Sequence, residues 1–273
     1  MAELPSSYAS DVINSTGKTS MAAQFTLLPS SRLHIDSTIH RVWEVLSAGG
    51  TAICPNTVGY GIWGGSPEAV DKVFRTKQRG RHKRHALITD DIGQREIHDL
   101  EPRKQDMVDC VTVDHDLPMG VVAPIRPGHP LLDRIDPDTF KASTAHGTIG
   151  MLLNGGPLHT AIGRLSREAL HPVFGSSANM TGTGTKFRLE DVQPEIRAIA
   201  DIEVDWGLRR YHVYGRSSTI INFIDMSVIR IGSCYELIAD VLKRQFDVDL
   251  PADPGRDRNP SGHLQEFSLP PFA

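Results

Sequence analysis

A single-domain α/β fold is predicted, and three features of the chain predict it. Apolar runs of strand length alternate with amphipathic stretches of helical period, the pattern of strands connected through helices. Glycine and proline punctuate the junctions between them. The 273 residues are enough to bury a sizeable core, and no linker-like stretch divides the middle of the chain.

Each element has its own local reason. Residues 1–33 are Ser-rich and weakly patterned, and read as an N-terminal arm, extended or poorly ordered. DSTIHRVWEVLSAGG predicts a helix capped by Asp36 or Ser37, with Ile39, Val42, Trp43 and Leu46 on one face and Gly49-Gly50 as its stop. TAIC (51–54) predicts a short buried strand ended by Pro55, and PNTVGYGIWGGS a glycine-rich loop that permits close backbone approach. SPEAVDKVFRTKQR reopens as a helix, with Ser66 at the N-cap and Pro67 behind it. ALIT and GVVAPI predict strands, and the acidic stretch between them includes a solvated helix. GTIGMLL (147–153) is strand-like, and PLHTAIGRLSREAL is helical through Leu158, Ile162, Leu165 and Leu170. RLEDVQPEIRAIA predicts a short helix, HVYG, STIINF and SVIRIG three strands, and YELIADVLKRQF a last amphipathic helix. The C-terminal half therefore calls for a mixed sheet. Residues 246–273 are rich in Pro, Gly and charge and read as a loose tail beyond a domain spanning 34–245.

Composition narrows the class. With 39% hydrophobic and 23% charged residues and a mean hydropathy of −0.24, the chain is globular. No apolar run reaches membrane-spanning length, and the N-terminus lacks the basic-then-apolar layout of a signal peptide. Cys54, Cys110 and Cys234 are too scattered for a metal knuckle or a disulfide framework, so a reducing cytoplasmic location is expected. A net charge of −4 disfavours bulk nucleic-acid affinity, yet seven Lys/Arg between Lys72 and Arg84 form a patch able to meet phosphate.

Three clusters carry candidate chemistry. In TKQRGRHKRH, Lys77 offers a compact charge and Arg79 a bidentate fork, suited to phosphate or carboxylate. The same residues also suit a solvated basic helix end. In GSSANMTG, Ser176, Ser177 and Asn179 set two hydroxyls and an amide beside glycine-freed backbone N–H groups, a turn that can wrap phosphate oxygens. An ordinary Ser/Asn turn is the alternative, whereas a nucleophilic serine lacks the GxSxG setting. Ser217, Ser218 and Thr219 open one strand and Arg230 ends the next, as ligand groups or as edge-strand polar residues. The pairs His98-Asp99 and Asp114-His115-Asp116 have no metal-ligand spacing and read as solvated side chains. GxGxxG and P-loop motifs do not occur.

The order of these signals is more specific than any one of them. Pro55 and Tyr60-Gly61, then Lys77-x-Arg79, then Ser177-x-Asn179, then Ser218-Thr219 and Arg230 resembles the YrdC-like family of threonylcarbamoyl-adenylate synthases and their YciO-type relatives, over about residues 37 to 245. The resemblance implies a twisted mixed β-sheet flanked by helices around a concave basic cavity. It implies a nucleotidyltransferase reaction in which L-threonine, bicarbonate and ATP give threonylcarbamoyl-AMP and pyrophosphate, feeding a tRNA modification. By the same resemblance, Lys77 and Arg79 hold carbamate, carboxylate or phosphates, and Ser177 and Asn179, with Ser176 beside them, bind the nucleotide phosphates. Ser218, Thr219, Arg230 and Tyr60 belong to the nucleotide side, while Asn56, Thr57 and Val58 face the amino acid. Mg2+ comes with ATP, with no protein side chain as its ligand.

Departures from the family pattern sit mostly on the amino-acid side. The family loop Pro-Thr-Glu/Asp-Thr-x-Tyr-Gly is here Pro55-Asn56-Thr57-Val58-Gly59-Tyr60-Gly61, with both threonines replaced. Its Pro-Gly-Pro-x-Thr segment is reduced to Pro118-Met119-Gly120-Val121-Val122, its Val-Arg strand reads Met151-Leu152, and Gly80 stands for the proline after KxR. Three readings follow: the threonine-dependent synthase, a relative that adenylates another amine-derived carbamate or an acid, and a non-catalytic RNA-binding protein using the Lys72–Arg84 patch. The sequence fixes no oligomeric state.

Overall fold

The computed structural model describes residues 26–27, 32–78 and 84–264. The first half contains β1 (Thr26–Leu27), α1 (Arg32–Ser47), β2 (Thr51–Asn56), β3 (Gly59–Gly64), α2 (Pro67–Thr76), β4 (Ala86–Leu87), α3 (Asp91–Ile97), α4 (Pro102–Asp109) and β5 (Met119–Pro124). The second half contains α5 (Pro137–Ser143), β6 (Thr144–Ala145), β7 (Thr148–Leu153), α6 (Pro157–Glu168), β8 (Phe174–Ser177) and α7 (Pro194–Arg197). It ends with β9 (Ile202–Val204), β10 (Thr219–Asn222), β11 (Ser227–Arg230) and α8 (Tyr235–Phe246).

Among the described residues eleven strands form one twisted mixed sheet in the order β1-β9-β2-β3-β8-β4-β7-β5-β10-β11, with β6 on β7. Parallel pairs (β2 with β9, β4 with β7, β5 with β10) are mixed with antiparallel ones (β2 with β3, β3 with β8, β5 with β7). Central strands are buried on both faces, which is why β2 and β3 are inaccessible along their whole length. Successive residues of β2 face opposite layers. Ala52 and Cys54 pack with Val42 and Leu46 of α1 and with Leu158 and Ile162 of α6. Ile53 packs with Ile62, Val73 of α2 and Ile196 of α7. Ile53 and Ile62 are each 0% exposed, worth about 1.5–3 kcal/mol apiece. A larger apolar layer forms around β5, β7 and α8.

The helix starts follow the sequence signals. Ser66 accepts from Ala69 N–H at 3.2 Å ahead of Pro67, as the capping pattern requires. Asp90 caps α3 through Gly93 N–H at 2.8 Å and receives a two-pronged bond from Arg167 of α6, at 2.9 Å on each oxygen. That pair ties the two helices together.

Several expectations are corrected. Most of the stretch 55–66 is strand and not loop: β2 continues through Pro55 to Asn56, turns at Thr57-Val58 and returns as β3 over Gly59–Gly64. Pro55 is tolerated because it faces Tyr60, whose own N–H and C=O turn away to Lys186 O and Ala178 N–H at 2.8 Å each. The missing N–H of proline thus leaves no rung of the ladder empty. α1 begins at Arg32, ahead of the expected caps, and Ser37 instead donates to His34 O at 3.0 Å within the helix. HVYG is a 3₁₀ turn, His212–Tyr214, and β9 was hidden in DIEV. His98 is not solvated but 1% exposed, its Nε2 3.1 Å from Ile149 O. The tail is not loose over 247–264: Ile231 N–H donates to Gly262 O at 2.8 Å, Leu264 N–H to Ile229 O at 3.1 Å, and Asp253 pairs with the buried Arg216 at 2.7 Å. These contacts cover the β11 edge.

Candidate active site

Lys77 ends α2 and is 1% exposed, so its four-carbon stem packs while its ammonium must find acceptors. It finds them a hundred residues away. Lys77 Nζ donates to Ser177 O, to Asn179 O at 2.6 Å and to Asn179 Oδ1 at 3.4 Å. Thr181 N–H returns to Lys77 O at 3.3 Å, so one residue grips the segment after β8 from two sides. The geometry corrects the expected free turn. Ser176 and Ser177 are the last residues of β8, opposite Ile62 and Gly61 of β3, and only Ala178 onward turns. Asn179 is 7% exposed and its Nδ2 donates to Met180 O at 2.7 Å. The Ser177 hydroxyl, half-buried at the rim, makes no hydrogen bond to the described residues. A cation, a hydroxyl and an amide thus converge at one strand end, a set suited to oxygen anions. Arg79 lies outside the described residues, as do 80–83 of the basic patch.

The hairpin turn beside this strand end is held by loops far away in sequence. Thr57 N–H donates to Gly155 O at 2.8 Å, its hydroxyl lies 3.4 Å from Asn154 O, and its own carbonyl accepts from Tyr211 N–H at 3.1 Å. Asn56 O accepts from Arg209 Nε at 2.9 Å. Asn56 is 7% exposed, and its Oδ1 has no hydrogen-bond partner among the described residues. Val58 is 2% exposed. Tyr60 is 1% exposed, its hydroxyl 3.0 Å from both Asp205 Oδ1 and Gly207 O and accepting from Trp206 N–H at 3.0 Å. Burial, and then the neighbouring Asp205 carboxylate, pushes that phenol well above its ordinary value, so it stays protonated. A cleft of about 570 Å³ opens beside the turn, lined among others by Thr57, Asn154, Gly156, Thr160, Arg164 and Arg210. Asp90, Asp91 and Asp116 also line it, so its charge is mixed.

Ser218, Thr219 and Arg230 make a second group. Arg230 donates through Nε to Ser218 O at 2.8 Å and through Nη2 to Ser218 Oγ at 2.9 Å. The Thr219 hydroxyl is fully buried between Ser233 O at 3.0 Å and Gly232 N–H at 3.1 Å. In the sheet, β10 stands four strand steps from β8, about 19 Å at ordinary spacing. The structure therefore joins Lys77 with Ser177 and Asn179, and gathers Asn56, Thr57, Val58 and Tyr60 on the neighbouring hairpin. Ser218, Thr219 and Arg230 lie apart from both. Sequence reasoning missed Asp205 and Arg209. The available signal was the basic-aromatic run RRYHVY, which was read as leading into a strand.

The family model for Sua5, YciO and YrdC proteins, described as "Telomere recombination", matches residues 44–232. The chain belongs to this family. No curated protein matches its sequence. Among solved structures, a hypothetical protein of Streptococcus mutans is similar with a TM-score of 0.65 at 17% identity, over 85% of this chain and 98% of that one. Sua5 of P. abyssi, solved in complex with L-threonine, is similar with a TM-score of 0.64 at 16% identity, over 83% of this chain. The match spans 62% of Sua5. HypF in a phosphate- and nucleotide-bound form gives 0.55 at 16% identity, over 72% of this chain and 29% of HypF. These likenesses establish the fold. No helix among the described residues is long and apolar enough to cross a membrane.

Proposed function

We propose that the chain is an ATP-dependent carbamoyl-adenylate synthase, with threonylcarbamoyl-AMP and pyrophosphate as products and L-threonine, bicarbonate and MgATP as substrates. The observation that carries this reading is the contact of Lys77 with Ser177 and Asn179, 100 and 102 residues away within the family domain. The neutral amine of the amino acid adds to the bicarbonate carbon, and water leaves carrying one of the amine hydrogens, giving a carbamate. One carbamate oxygen then attacks the α-phosphorus of ATP, and the bond to the bridging oxygen breaks as pyrophosphate leaves with its electron pair. No protein nucleophile enters, so the rate rests on positioning and on neutralising negative charge. Lys77 fixes the strand end, the Ser177 hydroxyl donates to a phosphate or carbamate oxygen, and Arg79 adds a second cation. Sua5, solved with L-threonine, and HypF, solved with phosphate and nucleotide, support the ligand classes.

A second reading keeps the adenylate chemistry and changes the amine. The turn favours it: Val58 is buried, and the Thr57 hydroxyl is directed to Asn154 O. One assay separates the two. Pyrophosphate release is measured with MgATP and bicarbonate across amino acids and amines, with the products weighed. A carbamoyl adenylate made from threonine is expected. The same product made only from another amine supports the second reading, and no release with any amine rejects both.

A further inference from the structure

A second cavity opens at the other end of α2 from Lys77. Its volume is about 640 Å³, within the range of small-molecule sites. Four helix ends surround it: the C-terminal ends of α1 and α6 and the N-terminal ends of α2 and α5. α2, 10 residues long, begins in it at Ser66-Pro67 and ends against Lys77. That is about 15 Å away at the helical rise, so the cavity and the candidate active site are separate places.

The inner wall is apolar. Val70 and Phe174 are 6% and 3% exposed, and Ile135 and Leu170 complete it. Leu170 follows the end of α6 in the left-handed region, at φ +50°, a place that ordinarily favours glycine. A leucine held there supplies cavity wall at the cost of backbone strain, the kind of compromise that marks functional places.

Two opposite charges line the same cavity without pairing. Asp136 caps α5, its Oδ1 accepting from Asp138 N–H at 3.1 Å and Thr139 N–H at 3.0 Å. Its Oδ2 is closed off from bulk water and has no hydrogen-bond partner among the described residues. Burial opposes ionisation of this carboxyl, but the bonds from Thr139 and Asp138 outweigh it and hold the group below its ordinary value. A carboxylate oxygen shielded from water and lacking a donor is unfavourable, and an ammonium in the cavity would complete it. Arg134, in the same loop, is exposed and makes no ion pair or side-chain hydrogen bond among the described residues. Its fork suits a carboxylate. A simple amine or a simple acid answers one charge, whereas a zwitterion answers both.

We propose that this cavity is a second small-molecule site, binding an α-amino acid with an apolar side chain. The ammonium sits on Asp136, the carboxylate on Arg134, and the side chain against Val70, Leu170 and Phe174. The site stands apart from Lys77, Ser177 and Asn179 and does not rest on the reaction proposed for them.

Calorimetric titration of the full chain without ATP tests this. L-Valine, L-leucine, L-methionine and L-phenylalanine are titrated into wild type, followed by the amide and the deaminated acid of the tightest binder. Binding of one molecule at this cavity is expected, with the amide and the deaminated acid each weaker by about 10- to 100-fold, the range for one lost charge-assisted bond. Asp136→Asn keeps a cap on α5 and removes the charge, and Arg134→Gln changes an exposed side chain, so both are expected to fold, as urea midpoints check. Both are expected to lose that bound molecule. An isotherm unchanged in either variant overturns the proposal, as does an amide that binds as tightly as the acid. Wild type that binds none of the four overturns it too. Each of these results leaves the synthase reading to its own pyrophosphate assay.

Discussion

Lys77 shows how one buried cation can organise a site. Its ammonium supplies donors to two backbone carbonyls and one side-chain oxygen, of which the Ser177 carbonyl also accepts from Asn179 N–H at 3.0 Å. Lys77→Met keeps the stem and removes the donors. Carbonyls left dry cost about 1–3 kcal/mol each when unsatisfied, partly recovered if the segment after β8 moves to solvent. The expected outcome is a loss of about 2 kcal/mol in urea unfolding and a fall of about a hundredfold in pyrophosphate release, measured where the variant is still folded. Lys77→Arg is expected to fail as well, because a planar fork does not fit a pocket that exposes 1% of the native residue. An unchanged rate in Lys77→Met would remove Lys77 from the site. At this scale the family resemblance placed Lys77, Ser177 and Asn179 in one site, and the structure brings these three residues together. Arg209 had no such motif, since it reaches the Asn56 carbonyl 153 positions away.

Strand pairing decides the element scale, and here glycines act by letting chains approach. A Cβ at Gly65, just after β3, would lie 1.8 Å from the Leu46 carbonyl oxygen of α1. At Gly128 the same atom meets nothing within 4 Å, though its φ of +79° favours glycine. Gly65→Ala must therefore push α1 off the sheet and is expected to cost about 3 kcal/mol or more, against about 1 kcal/mol for Gly128→Ala. Parallel thermal melts compare them, and equal shifts would refute the packing argument. The helices were legible because caps and apolar period are local: Ser66-Pro67 announced α2, and Leu158, Ile162 and Leu165 announced α6. The β2–β3 hairpin was not legible. Its glycines and Pro55 are turn formers by propensity, and only the pairing with β8 and β9 makes that stretch a central strand pair. The short β9, three residues long, was likewise too brief to show a period.

Across the whole molecule, two buried histidines make folding depend on pH. His98 lies between Gln94 and Ile149 O, and His159 packs edge-on against Trp63, with ring centres 5.8 Å apart and both ring nitrogens without a hydrogen-bond partner among the described residues. Desolvation lowers each to about 4, from an unfolded value of about 6.5. Between those values the unfolded chain binds more protons than the folded one, so stability is complete above about pH 6.5 and declines as pH falls toward 4. The decline is on the order of 3 kcal/mol for each histidine. Asp90, held low in net by Arg167 and Gly93 N–H against its own burial, contributes in a different window. Its stabilisation is present above the unfolded value of about 3.9 and is lost only as pH drops through its lower folded value. Acid unfolding should therefore come in two stages, a histidine stage followed by a carboxylate stage. His159→Phe separates them: a phenyl ring fills the same place beside Trp63 and sacrifices no hydrogen bond to the described residues, because the imidazole makes none with them. Urea midpoints from pH 7.5 to 4.5 are expected to fall about half as steeply in this variant as in wild type, with little change at pH 7.5. An identical slope in both proteins would show that His159 does not enter the folded state as the neutral form.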